Sequence, residues 1–393
     1  MRKSMVWSAV AAVGLSLGLA ATPAASAAPA GVAVQSAVPQ QLSPEIQQIV
    51  DNLPAMRARA DAVRAQLGLP DDPVRDALIA AIDPTQYECS TETPAVVSAV
   101  MPDTSTWTFE QILAVLHVLL FQMSLIDAAY LPQTGPFTYG AHGEFTNQVN
   151  RTIKDLGRFW DIPSSNIELV PAHGRSMLDP EVNYRVFTAI YGFNAEQSRV
   201  SADLVAHELN SATLGYGDLP IFTFNAYAAS GGENIPGYGT APKRIAFGDG
   251  VMEGFARVGL GDVAPQAILA HEFGHHVQYA DGLMRDDLPA PEASRWAELM
   301  ADAFSAYFLT HARGASMNWK RVESFGQMFY QLGDCGFTAA GHHGTPNQRM
   351  RSALWAYGVA DSASPQGHIL PSRSFYDLFA AQYPTLIAPD ATP

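Results

Sequence analysis

The sequence is poor in cysteine and in positive charge. Cys89 and Cys335 are its only 2 cysteines, so one disulfide at most is available. A bridge between them is the reading an exported chain favours, with two free thiols as the alternative. Lysine and arginine number 23 against 38 aspartates and glutamates, a formal net charge of −15. Such a chain repels nucleic acid and anionic membrane surfaces, which excludes both as partners. Internal repeats and heptad runs are absent as well. Beyond the N-terminus, the longest apolar run is residues 112–121, too short to span a bilayer. It lies between Gln111 and Gln122 and carries His117, which predicts a buried helix instead.

What is present begins with a secretory pattern. Arg2 and Lys3 precede an apolar stretch over residues 5–20, and Ala25-Ser26-Ala27 offers small residues for cleavage. Residues 1–27 therefore read as a signal peptide and the protein as secreted and extracellular, a retained signal anchor being the alternative. No Arg-Arg pair points to twin-arginine export. Residues 28–42 read as a linker. Hydrophobic residues make up 48% of the chain, ample for a packed core.

The periodicity predicts an α+β fold that is mostly helical. Residues 43–81 read as helical with a break at Leu67-Gly68-Leu69-Pro70. Thr108-Phe109-Glu110-Gln111 has the form of a capping box. Residues 221–228 and 244–247 read as short strands. Helices are expected over 263–280, 291–312, 319–332, 345–357 and 374–382.

The chemistry concentrates in the first of these. His271-Glu272-Phe273-Gly274-His275 is an H-E-x-x-H motif. Residues four apart on a helix lie about 40° apart around its axis, so both imidazoles face one way and can grip one Zn²⁺. Glu272 is one step round, placed to take a proton from a water made acidic by the metal. A third ligand is needed. Asp281 sits where a metzincin-like chain carries its last ligand, but Gln278 stands where the turning glycine would be. Glu298 is the other candidate, with Asp302 four residues on and on the same face. Two acids amid Trp296, Leu299, Phe304 and Tyr307 need positive partners. Zn²⁺ would serve Glu298, and Asp302 could fix the tautomer of a ligand histidine. Tyr279 reads as core more than as an oxyanion donor. His276 and His342 read as surface or supporting residues, and Gly274 as a place where another backbone comes close.

Three motifs in order carry a resemblance: HEFGHHVQ over 271–278, ELMADAF over 298–304 and HGTPNQR over 343–349. Together they resemble the bacterial neutral zinc metallopeptidases, a gluzincin-like zincin family. The resemblance implies a zincin-like metallopeptidase domain over residues 136–393, with a small sheet before the active-site helix. It implies His271, His275 and Glu298 as metal ligands and Glu272 as general base. His343 and Arg349 match the third motif. There His343 is a candidate catalytic residue stabilising the oxyanion, with a packed capping loop as the alternative. By the same resemblance, strand 244–247 lines the cleft and pairs with an extended substrate.

A cysteine pair expected before the active helix is missing, and residues 28–135 match nothing in the family. That helical region reads as a structural cover tied down by a Cys89–Cys335 bridge, or as a removable pro-segment. The expected function is peptide-bond hydrolysis on peptide or protein substrates. A zinc amidase acting on cell-wall peptides and a non-catalytic binding protein are the alternatives. The presence of Glu272 weighs against the last.

Overall fold

The computed structural model describes residues 43–67, 94–333, 342–363 and 367–389. The expected signal peptide, the linker and both cysteines lie outside the described residues. In chain order the helices before the sheet are α1 (Pro44–Leu67), α2 (Ala95–Val100), α3 (Phe109–Phe121), α4 (Met123–Tyr130) and α5 (Thr146–Phe159). Strand β1 (Ile167–Ala172) leads to α6 (Pro180–Arg185) and α7 (Ala195–Leu209). Then come β2 (Ala226–Ala229), a small hairpin of β3 (Asn234–Ile235) and β4 (Gly239–Thr240), and β5 (Lys243–Gly248). Helices α8 (Asp249–Arg257), α9 (Ala264–Asp281), α10 (Ala290–Thr310), α11 (Trp319–Leu332), α12 (Pro346–Ala363) and α13 (Ser372–Leu386) follow. The chain is thus mostly helical with a small sheet ahead of the motif helix α9, as the sequence predicts.

The sheet follows from strand periodicity. Along β5, Ile245 and Phe247 face one apolar core and Ala246 faces a second, because successive side chains alternate across a strand. β5 is the central strand of the order β1-β5-β2, parallel to β1 and antiparallel to β2. The first core is built on α9, α10, α11 and α12, the second on α3, α4 and α7. The sheet is the shared wall between them. Arg244, buried in β5, donates to the carbonyls of Ala128 (3.1 Å) and Leu131 (2.6 Å) at the end of α4. A buried cation thereby meets the negative end of that helix.

Local signals set several boundaries. Thr108 and Gln111 form the expected capping box at the start of α3. Gln122, left-handed at φ 43°, separates α3 from α4. The stretch Phe109–Tyr130 is long and apolar enough to cross a bilayer by length and composition, yet 78% of it is buried inside the fold. α9 stops where expected, at Gly282 with φ 63°, a conformation that suits glycine.

Two strand expectations need correction. Residues 220–223 form a tight 3-10 turn, and only Ala226–Ala229 is strand. The strand 244–247 is central and paired on both sides, so it has no free edge for a substrate. The edge strand beside the site is β2.

Candidate metal centre

The site lies where α9, α10 and α12 pack together. Two glycine-level approaches make this packing close. A Cβ on Gly274 would meet the Ala301 Cα at 3.2 Å and its carbonyl at 3.3 Å, so α10 passes close to α9 here. Gly344 has φ +93° beside Leu299, letting the third-motif loop turn against α10 before Thr345 caps α12.

This packing brings His271, His275 and Glu298 together. One donor atom from each lies within 4.8 Å of the others, and all three residues are buried. The two Nε2 atoms face one carboxylate, with His271 Nε2 3.2 Å from Glu298 Oε2 and His275 Nε2 3.5 Å from Oε1. The far ring nitrogens are tied down. His271 Nδ1–H donates to Asp302 Oδ1 at 2.9 Å, and His275 Nδ1–H to Gln278 Oε1 at 3.0 Å. A carboxylate and an amide oxygen only accept, so both rings carry the proton on Nδ1 and turn Nε2 inward. Gln278 is held in turn by donating to the Ala297 carbonyl at 2.7 Å.

Electrostatics agrees with a cation site. Burial lowers His275 below the ordinary histidine value, against the pull of Glu298. Burial also works against charge on His271, but the hydrogen bonds and charges of Asp302 and Glu298 outweigh it and raise that imidazole to about 10. For Glu298, burial is overcome by His343, His275 and His271, which hold the carboxyl well below its ordinary range. Two inward nitrogens and an ionised carboxylate at this spacing need a positive charge between them. A metal ion bound between them would supply it. The group can therefore hold a metal.

The remaining expected residues fall into place around it. Glu272 and His343 line the same cavity of about 50 Å³ as His271, His275 and Glu298, with Arg349, Asn225, Ala226 and an apolar wall that includes Phe224 and Met328. Burial pushes the Glu272 carboxyl up to about 7, with the charges around it contributing less. Arg349 grips Asp302 with both ends of its fork, Nε to Oδ2 at 2.7 Å and Nη2 to Oδ1 at 2.6 Å. Asp302 thus links Arg349 to His271. Ser352 Oγ donates to the Leu299 carbonyl at 2.6 Å, pinning α12 to α10.

Other candidates are excluded from the centre. Asp281 accepts from Ser372 Oγ at 2.6 Å and is not among the grouped donors. His276 is not a surface residue: its Nε2–H donates to the Arg244 carbonyl at 3.0 Å, tying α9 to the sheet. The Tyr279 hydroxyl donates to the Ala228 carbonyl of β2 at 3.2 Å. Sequence reasoning missed Gln278 and Asn225. Gln278 could have been found, since it lies three residues after His275 and so on the same helix face. Asn225 carried no local signal.

No family model, curated protein or solved structure matches the chain. The family resemblance rests on its three motifs.

Proposed function

We propose that the chain is a secreted zinc-dependent peptidase. His271, His275 and Glu298 would hold the metal, an N₂O donor set that suits Zn²⁺. Bound there, zinc supplies a Lewis acid that makes a water acidic and polarises the scissile carbonyl. Glu272 takes the proton of the attacking water and passes it to the leaving amine. Asp302 and Gln278 fix the rings of His271 and His275. Arg349 neutralises Asp302. His343 donates to the oxyanion.

The observation that carries this reading is Glu272. Its carboxyl is buried on the wall of the ligand cavity, and no hydrogen bond or ion pair holds it among the described residues. A buried acid beside a metal-ligand group, raised toward neutrality and left without a structural bond, suits a general base better than a packing residue.

The test is incubation of the mature protein with a mixed peptide library, with and without a chelator. Cleavage should stop with the chelator and return with zinc. Glu272→Gln should keep its zinc and lose nearly all turnover. Full activity in that variant would sink the mechanism.

A further inference from the structure

Among the described residues strand β2 pairs on one side only, and its start lies at the candidate metal centre. Asn225 and Ala226 line the cavity that holds the ligands. β2 pairs with β5 in the register Ala226↔Phe247, Tyr227↔Ala246, Ala228↔Ile245 and Ala229↔Arg244. The Gly248 N–H donates to the Asn225 carbonyl at 3.1 Å, so Asn225, Tyr227 and Ala229 turn their main-chain groups toward β5. By alternation, Ala226 and Ala228 turn theirs outward.

Two of the four outward groups are already taken. The Ala226 N–H donates to Asn225 Oδ1 at 2.9 Å. The Ala228 carbonyl accepts from the Tyr279 hydroxyl at 3.2 Å. The Ala226 carbonyl and the Ala228 N–H have no hydrogen bond among the described residues. Neither stop is loose. A Cβ on Gly248 would lie 2.0 Å from the Thr223 carbonyl and 2.6 Å from that of Asn225, so the backbone before β2 is clamped against β5. Tyr279 is on α9, one turn beyond His275, with its ring beside the His275 and His276 rings.

We infer that Tyr279 and Asn225 are stops that limit main-chain pairing of an extended peptide to one acceptor, the Ala226 carbonyl, and one donor, the Ala228 N–H. This rests on the peptidase reading and adds how that site grips its substrate. A strand edge left whole would pair at every second residue of the peptide and favour long extended segments. This one registers the peptide through one N–H and one carbonyl. Tyr279 is a positioning residue, acting through the strand.

N-methyl scanning tests the inference. The peptide that the wild-type chain cuts fastest in the mixed library is resynthesised with each backbone N–H methylated in turn, and kcat/KM is measured for each. Apart from the scissile amide, one position should lose about tenfold, the worth of a lost hydrogen bond with some crowding. Tyr279→Phe releases the Ala228 carbonyl, so a second sensitive position should appear two residues from the first. Outward acceptors on one strand edge are two residues apart in either direction of pairing.

Two or more sensitive positions with the wild-type chain overturn the inference, and this result needs no variant to fold. An unchanged scan in folded, zinc-loaded Tyr279→Phe overturns it as well. If no peptide is cut in a chelator-sensitive way, the peptidase reading falls and takes this inference with it.

Discussion

Replacing Arg349 with methionine removes the cation that faces Asp302 but keeps much of the side chain's bulk. Asp302 is 0% exposed and Arg349 3% exposed, so no water can stand in for the lost guanidinium. Two charge-assisted hydrogen bonds go at once, and so does the bond from Arg349 Nη1 to the Leu332 carbonyl at 3.1 Å. Removing one partner from a buried ion pair costs about 3–5 kcal/mol, because the other charge is left uncompensated. His271 keeps its bond to Asp302 and offsets part of this. The chelator-treated variant should therefore lose about 3 kcal/mol in urea unfolding. Asp302→Asn in the same chain removes the stranded charge, so the double variant should be more stable than Arg349→Met alone. Because Asp302 also orients His271, both single variants should bind zinc about 10–100-fold more weakly in competition with a chromophoric chelator. Additive losses across the three variants, or unchanged zinc affinity in Arg349→Met, would refute the coupling of Arg349 through Asp302 to the ligand.

Other perturbations have equally definite outcomes. Glu298→Ala should strip zinc while Asp281→Ala leaves it in place, read by elemental analysis; the reverse would favour the metzincin-like arrangement. His117 is fully buried, and burial lowers it to about 4. The unfolded chain then binds the proton more readily, so stability is full above the ordinary histidine value of 6.5 and is lost as pH falls toward 4. The loss at this one residue is about 2 kcal/mol between pH 7 and pH 5. His117→Phe, set between Phe121 and Phe187, should flatten that slope in denaturant titrations, and an unchanged slope would show that His117 is not its source. Gly274→Ala pushes a methyl against the α10 backbone, so it should destabilise the chain by about 1–3 kcal/mol and weaken zinc binding by parting the helices that carry the ligands; wild-type thermal stability with wild-type zinc affinity would contradict the close approach.

The sequence by itself determined what depends on neighbours along the chain. The capping pair Thr108 and Gln111, the stop at Gly282 and the shared face of His271 and His275 follow from helix geometry, which repeats within one or two turns. The Glu298–Asp302 spacing was legible for the same reason, and so was the choice of Glu298 over Asp281, since α9 continues through Gln278. The tertiary structure alone decided what depends on pairing between distant segments. It put 244–247 in the middle of the sheet and 226–229 at its edge, because β1, which lies far back in the chain, takes the other side of β5. No local pattern records which strand takes that side. It also turned His276 to the Arg244 carbonyl, Tyr279 to the edge strand and Arg349 to Asp302. Each is a buried polar group that must find a partner, and the partner's identity is fixed only when the helices and the sheet close around it.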